Sequence, residues 1–283
     1  MTATGTGIDI EATTAHLCRR VREAEVLRDP WPRLVIDGFL PDSVFEALLG
    51  CLHEDYLRMR GSEPRSWIAT FEGALEHSEN SNERYWHGRE REIRVLCDIF
   101  KAMNRSQVLL DAVGASLGPQ LRAAVETFRQ RYLNTIKACH STRLMRDTSA
   151  YDLRPHTDTS VKLASIVLYV QADAGERLGT LLYRPKDPTF RCHGNDYHDI
   201  GGFIEAKEIP FKPNSAFAFV RDDHTFHGVG CKLAVANFAR ITVQTNLFKI
   251  VPTSERLIRR HANLAKAQPP SGDGDRSNGR VSV

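Results

Sequence analysis

The stretch Leu153-Arg154-Pro155-His156-Thr157-Asp158 places a histidine and a carboxylate two residues apart. In an extended segment, side chains two residues apart project from the same face, so His156 and Asp158 can point at one spot. Such a pair supplies half of a metal site. On its own the triplet is a weak signal, because 11 histidines in 283 residues make chance His-x-Asp triplets common. Whether the triplet forms part of a metal site depends on whether the rest of the chain supplies further ligands.

The composition is that of an ordinary globular protein, with 26% charged and 41% hydrophobic residues. The net charge of +3, with dispersed basic residues, does not indicate nucleic-acid binding. No apolar run is long enough to cross a bilayer and no signal-peptide pattern opens the chain, so we expect a cytoplasmic protein. Six cysteines without a Cys-x-x-Cys pair favour reduced thiols. Cys192, His193 and His198 could form a zinc fragment, but polar loop residues are the simpler interpretation.

The first 131 residues predict mainly helices. Apolar residues at helical spacing predict amphipathic helices over residues 10–27, 45–52, 93–103, 108–117 and 121–132. A short strand is expected at 31–36, a helix cap at Asp42 or Ser43, and a helix break at Gly118-Pro119. Residues 59–90 lack periodicity but carry four bulky aromatic side chains, which fits a lid or rings packed under a surface loop equally well.

From about Tyr132 the sequence becomes rich in predicted strands. Short segments with β-branched and aromatic residues, bounded by turn residues, span 162–170, 180–183, 215–220 and 238–248. Strands at such intervals predict an all-β sandwich or barrel. In the last strand, alternation places one set of side chains on a polar face, namely Arg240, Thr242, Gln244 and Asn246. Such a face is expected where a strand lines a cavity for a charged ligand, although a half-exposed strand also explains it.

Three stretches carry a resemblance to a known family: PHTD at 155–158, TFHGV at 225–229 and ARIT at 239–242. The chain resembles the Fe(II)- and 2-oxoglutarate-dependent oxygenase superfamily, whose motif is His-x-Asp, a distant His, and an Arg followed two residues later by Ser or Thr. The stretch LVIDGFLPD at 34–42 is similar to the opening of prolyl-hydroxylase-like members. The resemblance is therefore to the prolyl-hydroxylase-like or phytanoyl-hydroxylase-like branch.

The resemblance implies a mainly β fold with flanking helices, built on a double-stranded β-helix, which is a cupin-like jelly roll. The implied core spans residues 132–250, with a helical and lid region at 1–131 packed on it and a largely disordered C-terminal segment at 251–283. The implied ligands of Fe(II) are His156, Asp158 and His227. Arg240 and Thr242 are implied to hold the far carboxylate of 2-oxoglutarate.

Two choices inside this assignment stay open. His224 lies three residues before His227, so only one of them is expected to bind metal, and Phe-His-Gly-Val favours His227. Lys162 follows His156 by six residues, and some family members anchor the cosubstrate with lysine. Otherwise its ammonium assists with an anionic substrate or reaches solvent.

The implied activity is hydroxylation of an unactivated C–H bond of a small molecule, such as an amino acid or a natural-product intermediate. O2 is the second cosubstrate, succinate and CO2 are released, and ascorbate is an expected stimulant. The Asp158 carboxylate favours hydroxylation over halogenation, because halogenating relatives have a small residue at that place, whereas desaturation and ring closure stay open as alternatives. The alternatives are a prolyl-type protein hydroxylase and a non-catalytic cupin-like metal-binding protein or sensor. Nearby arginines and lysines hint at an anionic substrate, whereas no nucleic-acid or membrane partner is expected.

Overall fold

The computed structural model describes residues 6–52, 65–71, 89–103, 112–119, 138–148, 153–172, 179–194, 196–229 and 239–249. Residues 1–249 belong to one compact unit. No helix within the described ranges is long and apolar enough to cross a membrane. The predicted C-terminal segment at 251–283 and the predicted helix at 121–132 lie outside the described residues.

The helices precede most of the strands in the chain. They are α1 (Ile10–Glu23), α2 (Asp42–Cys51) and α3 (Glu90–Met103), followed by helical residues 112–119. α1 begins after Asp9, whose carboxylate accepts a hydrogen bond from the backbone N–H of Ala12. The apolar faces of these helices join one core with one face of a β-sheet, as expected for amphipathic helices.

Two local expectations about this region are wrong. α2 starts at Asp42 after Pro41, and no side chain caps it, so neither Asp42 nor Ser43 acts as the cap. Gly118 and Pro119 are the last two residues of the helical range 112–119, and the residues after them lie outside the described part of the chain, so the break expected at this pair stays a prediction. Residues 59–90, expected to be a loop, contain a strand at Arg65–Phe71, which pairs with a distant segment and so leaves little local signal.

Among the described residues, eleven strands form two antiparallel sheets. The strands are β1 (Val26–Leu27), β2 (Arg33–Ile36), β3 (Arg65–Phe71), β4 (Ala138–Thr148), β5 (Leu153–His156), β6 (Lys162–Ala172), β7 (Thr180–Pro185), β8 (Phe203–Ile209), β9 (Ser215–Val220), β10 (His227–Val229) and β11 (Ala239–Lys249). The first sheet has the order β1-β2-β9-β6-β11-β4-β3, and the second has the order β5-β10-β7-β8.

The strand order from β4 to β11 is that of a jelly roll. Along the chain the strands alternate between the two sheets, except that β7 and β8 form a hairpin-like pair within the second sheet. The jelly roll takes four adjacent strands of the first sheet, β9, β6, β11 and β4, and the four strands of the second sheet, β5, β10, β7 and β8. The predicted double-stranded β-helix with flanking helices is therefore confirmed.

The two faces of β11 are separated as the alternation predicted. Ile241 and Val243 belong to the core that contains the helices, whereas Arg240, Gln244 and Asn246 border a cavity on the opposite side. The polar face of this strand thus lies inside the jelly roll. β11 therefore contributes polar side chains to the cavity between the sheets.

Candidate metal centre

Neighbouring strands of the second sheet bring together the two histidines of the predicted triad. His156 ends β5 and His227 begins β10, and the two residues are directly paired across the antiparallel ladder. Their ring centroids lie 4.4 Å apart. Asp158 follows two residues after His156, and one potential ligand atom from each of the three residues lies within 4.8 Å of the others. The cluster has the composition of a two-histidine, one-carboxylate metal site.

Both histidines are oriented by backbone carbonyl groups. Nδ1 of His156 lies 3.0 Å from the carbonyl oxygen of Arg154, and Nδ1 of His227 lies 2.9 Å from that of Thr225. Because a carbonyl oxygen only accepts, each Nδ1 carries the proton and donates it. In the neutral ring, Nε2 then has the lone pair that a metal ion requires.

The charge states of the triad also fit a metal ion. Burial, followed by the neighbouring His227, lowers the pKa of His156 to about 3, and burial likewise lowers the pKa of His227. Burial alone would raise the pKa of Asp158, but Lys162 and the two histidines hold that pKa well below its usual range. Neutral imidazoles beside an ionised carboxylate are the protonation states in which these side chains bind metal.

Asp158 is held from two sides. Its Oδ1 lies 2.8 Å from Nζ of Lys162, and its Oδ2 accepts a 2.8 Å hydrogen bond from the Ser165 hydroxyl. The ammonium of Lys162 is thus beside the carboxylate of the cluster, where it lines the same cavity. From this position the ammonium group can repel a bound metal ion or contact an anionic ligand in the cavity.

Arg240 lies in the interior, with its guanidinium oriented by two groups. Nε and Nη2 contact Oδ2 of Asp147 at 3.0 Å and 2.9 Å, and Nη1 donates to the carbonyl oxygen of Gly179 at 3.1 Å. Only 3% and 2% of the Arg240 and Asp147 side chains are exposed. All three guanidinium nitrogens of Arg240 are thus in contact with Asp147 or Gly179.

A single cavity connects Arg240 with the triad. Its volume is about 80 Å³, and its border includes the three triad residues, Lys162, Arg240 and the side chains of Phe217 and Phe219. Thr242 lies on the same face of β11 and is fully buried, and its hydroxyl has no hydrogen-bond partner within the described part of the chain. An unsatisfied buried hydroxyl of this kind fits a site for a polar ligand.

The other candidate ligands lie away from the cluster. His224 is in an exposed turn, where its Nδ1 pairs with the Asp222 carboxylate at 2.8 Å. Cys192 is buried among aromatic side chains, while His193 is exposed and bonded to Asp223. Among the described residues, only the triad of His156, Asp158 and His227 forms a group of metal-ligating side chains, so the zinc fragment at 192–198 is not assembled.

Three neighbours of the site were not predicted from the sequence. Asp147 faces Arg240 in the pairing of β4 with β11. Ser165 reaches Asp158 from β6 of the first sheet, whereas Asp158 follows β5 of the second sheet; neither contact follows from the local sequence. The ring of Tyr197 is tilted by 49° against that of His156, with a centroid distance of 5.4 Å, and Tyr197 is 64% exposed. Tyr197 could have been identified from the sequence as an aromatic residue within the polar loop that precedes β8.

Comparison with known proteins gives matches in structure alone. No family model and no curated protein sequence match the chain. A Pseudomonas putida prolyl-4-hydroxylase is 13% identical, with 89% of this chain and 99% of that chain covered and a TM-score of 0.38. HygX from Streptomyces hygroscopicus, solved with nickel and 2-oxoglutarate, is 12% identical, with coverages of 78% and 82% and a TM-score of 0.39.

A third match is the Fe(II)/α-ketoglutarate-dependent dioxygenase TqaL, which is 9% identical, with coverages of 87% and 89% and a TM-score of 0.41. These structures include members of the class that the sequence motifs resemble. A shared fold does not determine a reaction, so the function has to follow from the site of this chain.

Proposed function

We propose that this protein is a non-haem Fe(II)- and 2-oxoglutarate-dependent dioxygenase. It hydroxylates an unactivated C–H bond of a small molecule, such as an amino acid or a natural-product intermediate, in the cytoplasm. The observation that carries the proposal is one interior cavity bordered both by the His156, Asp158 and His227 cluster and by the buried guanidinium of Arg240. A metal site alone would not require a buried arginine on the same cavity.

The donor set is suited to Fe(II). The metal would be held by Nε2 of His156, Nε2 of His227 and the Asp158 carboxylate, since two imidazoles and one carboxylate leave further positions for other ligands. O2 would be the four-electron oxidant: oxidation of 2-oxoglutarate to succinate and CO2 would supply two of the electrons, hydroxylation of the substrate the other two, and the bound metal would couple the two oxidations. The carboxylate of Asp158 occupies the place that a halide would need, which favours hydroxylation.

The protein's own side chains orient the cosubstrate. Arg240 offers a planar guanidinium to the far carboxylate of 2-oxoglutarate, and Asp147 keeps that guanidinium in one orientation before binding. The Thr242 hydroxyl, which has no hydrogen-bond partner among the described residues, would donate to the same carboxylate. Because Arg240 is buried, its attraction for the carboxylate is less screened by water than on a surface.

Apolar side chains limit water around the cluster. Phe217, Phe219 and Val229 border the cavity, and Phe219 packs edge-on against His227 with a centroid distance of 4.8 Å. Tyr197 lies beside His156 on the exposed side, where a substrate would approach. A small substrate with an apolar face fits this entrance, and Lys162 offers a positive charge for an anionic one.

Succinate formation tests the proposal directly. Purified protein is incubated with Fe(II), 2-oxoglutarate, O2 and ascorbate, and succinate is measured with and without candidate substrates. We expect slow, iron-dependent succinate formation by the wild type, none by Asp158→Ala, and wild-type levels by His224→Ala. If the wild type binds iron but forms no succinate, and iron does not tighten 2-oxoglutarate binding, the protein is a non-catalytic metal-binding protein.

A further inference from the structure

Ser165 links Asp158 to the neighbouring strand. The Ser165 hydroxyl lies 2.8 Å from Oδ2 of Asp158 and 3.0 Å from the amide oxygen Oδ1 of Asn246. Ser165 is on β6, and Asn246 is its direct partner on β11. Ser165 is 3% exposed and Asn246 is 4% exposed, so water does not compete for these contacts.

The two contacts of Ser165 have a natural direction. A hydroxyl has one hydrogen, and the ionised carboxylate of Asp158 can only accept, so the hydroxyl donates to Asp158. In the structure the amide oxygen of Asn246 faces the hydroxyl; because amide oxygen and nitrogen have nearly the same shape, turning the amide by 180° places its NH2 group there as a donor to Ser165. In that orientation the hydrogen bonds run from Asn246 through Ser165 to Asp158.

We propose that Ser165 and Asn246 are positioning residues that fix the orientation of the Asp158 carboxylate for the metal ion. The proposal rests on the proposed function, because it assumes that the triad binds metal. Lys162 also contacts Asp158, but its long side chain has four rotatable bonds and is 17% exposed. Ser165 and Asn246 are short, buried and attached to adjacent strands, so they restrict the carboxylate far more tightly.

Metal affinity is the property that this arrangement controls. Loss of a hydrogen-bond partner of a metal ligand commonly lowers metal affinity by about 10- to 100-fold. Ser165→Ala should weaken Mn²⁺ binding within that range, and Asn246→Ala should weaken it by a smaller factor, since Asn246 acts through Ser165. The double variant should bind Mn²⁺ about as weakly as Ser165→Ala alone, because the two residues belong to one chain of contacts.

The experiment is an anaerobic titration of the full chain with Mn²⁺ alone, followed by electron paramagnetic resonance. Ser165→Thr keeps a hydroxyl and should retain most of the affinity that Ser165→Ala loses. Thr245→Val is the matched control, because Thr245 lies beside Asn246 on β11 but faces the other way, where its hydroxyl pairs with Thr142 at 2.9 Å. That variant should lose stability with unchanged Mn²⁺ affinity.

The outcomes separate this proposal from the proposed function. If the wild type does not bind Mn²⁺, or if Asp158→Ala binds it as tightly as the wild type, the metal site itself is wrong. The positioning role of Ser165 and Asn246 is then wrong as well. If the wild type binds Mn²⁺ and a folded Ser165→Ala binds it equally well, only the positioning role is overturned. If Ser165→Ala does not fold, the Asn246→Ala titration decides, and unchanged affinity there overturns the proposal.

Discussion

Gly228 controls the distance between the two strands that carry the histidines. A Cβ atom added at this position would lie 2.3 Å from the carbonyl oxygen of Leu153 and 3.2 Å from that of Arg154. Ordinary contact begins at 3.4 Å, so the first distance is about 1 Å too short. Both oxygens belong to the backbone of β5, which cannot rotate away as a flexible side chain would. Gly228→Ala must therefore push β10 away from β5.

The metal site has little tolerance for such a movement. His227 is adjacent to Gly228 and directly paired with His156, so a shift of about 1 Å between the strands separates the two rings. Metal–ligand distances tolerate about 0.2 Å. We therefore expect Gly228→Ala to weaken Mn²⁺ binding by at least about tenfold, which corresponds to about 1.4 kcal/mol. Overpacking should also lower the free energy of unfolding by about 1–3 kcal/mol.

Calorimetric titration with Mn²⁺ and thermal unfolding measure the two effects. Gly202→Ala is the control, because a Cβ at that position would meet no atom within 4 Å. It should leave both the Mn²⁺ affinity and the Tm close to those of the wild type. Unchanged Mn²⁺ affinity in Gly228→Ala would refute the assigned spacing of β5 and β10 and the role of His227 as a ligand.

Two further substitutions separate cosubstrate binding from metal binding. Arg240→Lys keeps the positive charge beside Asp147 but loses the planar guanidinium group. The affinity for 2-oxoglutarate should therefore fall by about tenfold or more, while the Mn²⁺ affinity is retained. If calorimetry gives this variant the same 2-oxoglutarate affinity as the wild type, Lys162 is the anchor instead. Lys162→Met removes a positive charge that lies 2.8 Å from Asp158 and would repel a bound Mn²⁺ ion. Unit charges about 4 Å apart interact by about 1 kcal/mol even in water, so the Mn²⁺ affinity should rise about fivefold or more. A fall in Mn²⁺ affinity would show that Lys162 supports the carboxylate instead.

Sequence patterns predicted β6, β9 and β11 but not β4, which pairs with β11 in the same sheet. β6, β9 and β11 are buried on at least one face and carry runs of β-branched and aromatic residues, which is a local property. The strands that were missed have other compositions. β10 is only three residues long, and β8, with the sequence FIEAKEI, lies at a sheet edge and has exposed charged residues. Their pairing depends on partners far along the chain, which periodicity does not reveal.

The proximity of His156 and Asp158 was predictable because it depends on local sequence, whereas the contacts around the triad depend on strand register. His156 and Asp158 are two residues apart, so an extended backbone is enough to place them together, and only His227 had to be brought in by strand pairing. Ser165 and Asn246 contact the site through the register of β6 with β11. A shift of one residue in that register would turn each side chain to the opposite face. Motifs therefore identify the ligands, whereas register determines what holds them.

Asp147 shows the consequence for interpreting the arginine of the motif. It lies opposite Arg240 in the register of β4 with β11, within the sequence RLMRDT, whose mixed charges suggest a surface strand. In the structure the two side chains form a buried ion pair, and removing one partner of such a pair commonly costs about 3–5 kcal/mol. Arg240→Ala would therefore abolish activity whether or not Arg240 touches the cosubstrate. The arginine is required twice, by Asp147 for folding and by the proposed carboxylate for binding, and only a substitution that keeps its charge distinguishes the two requirements.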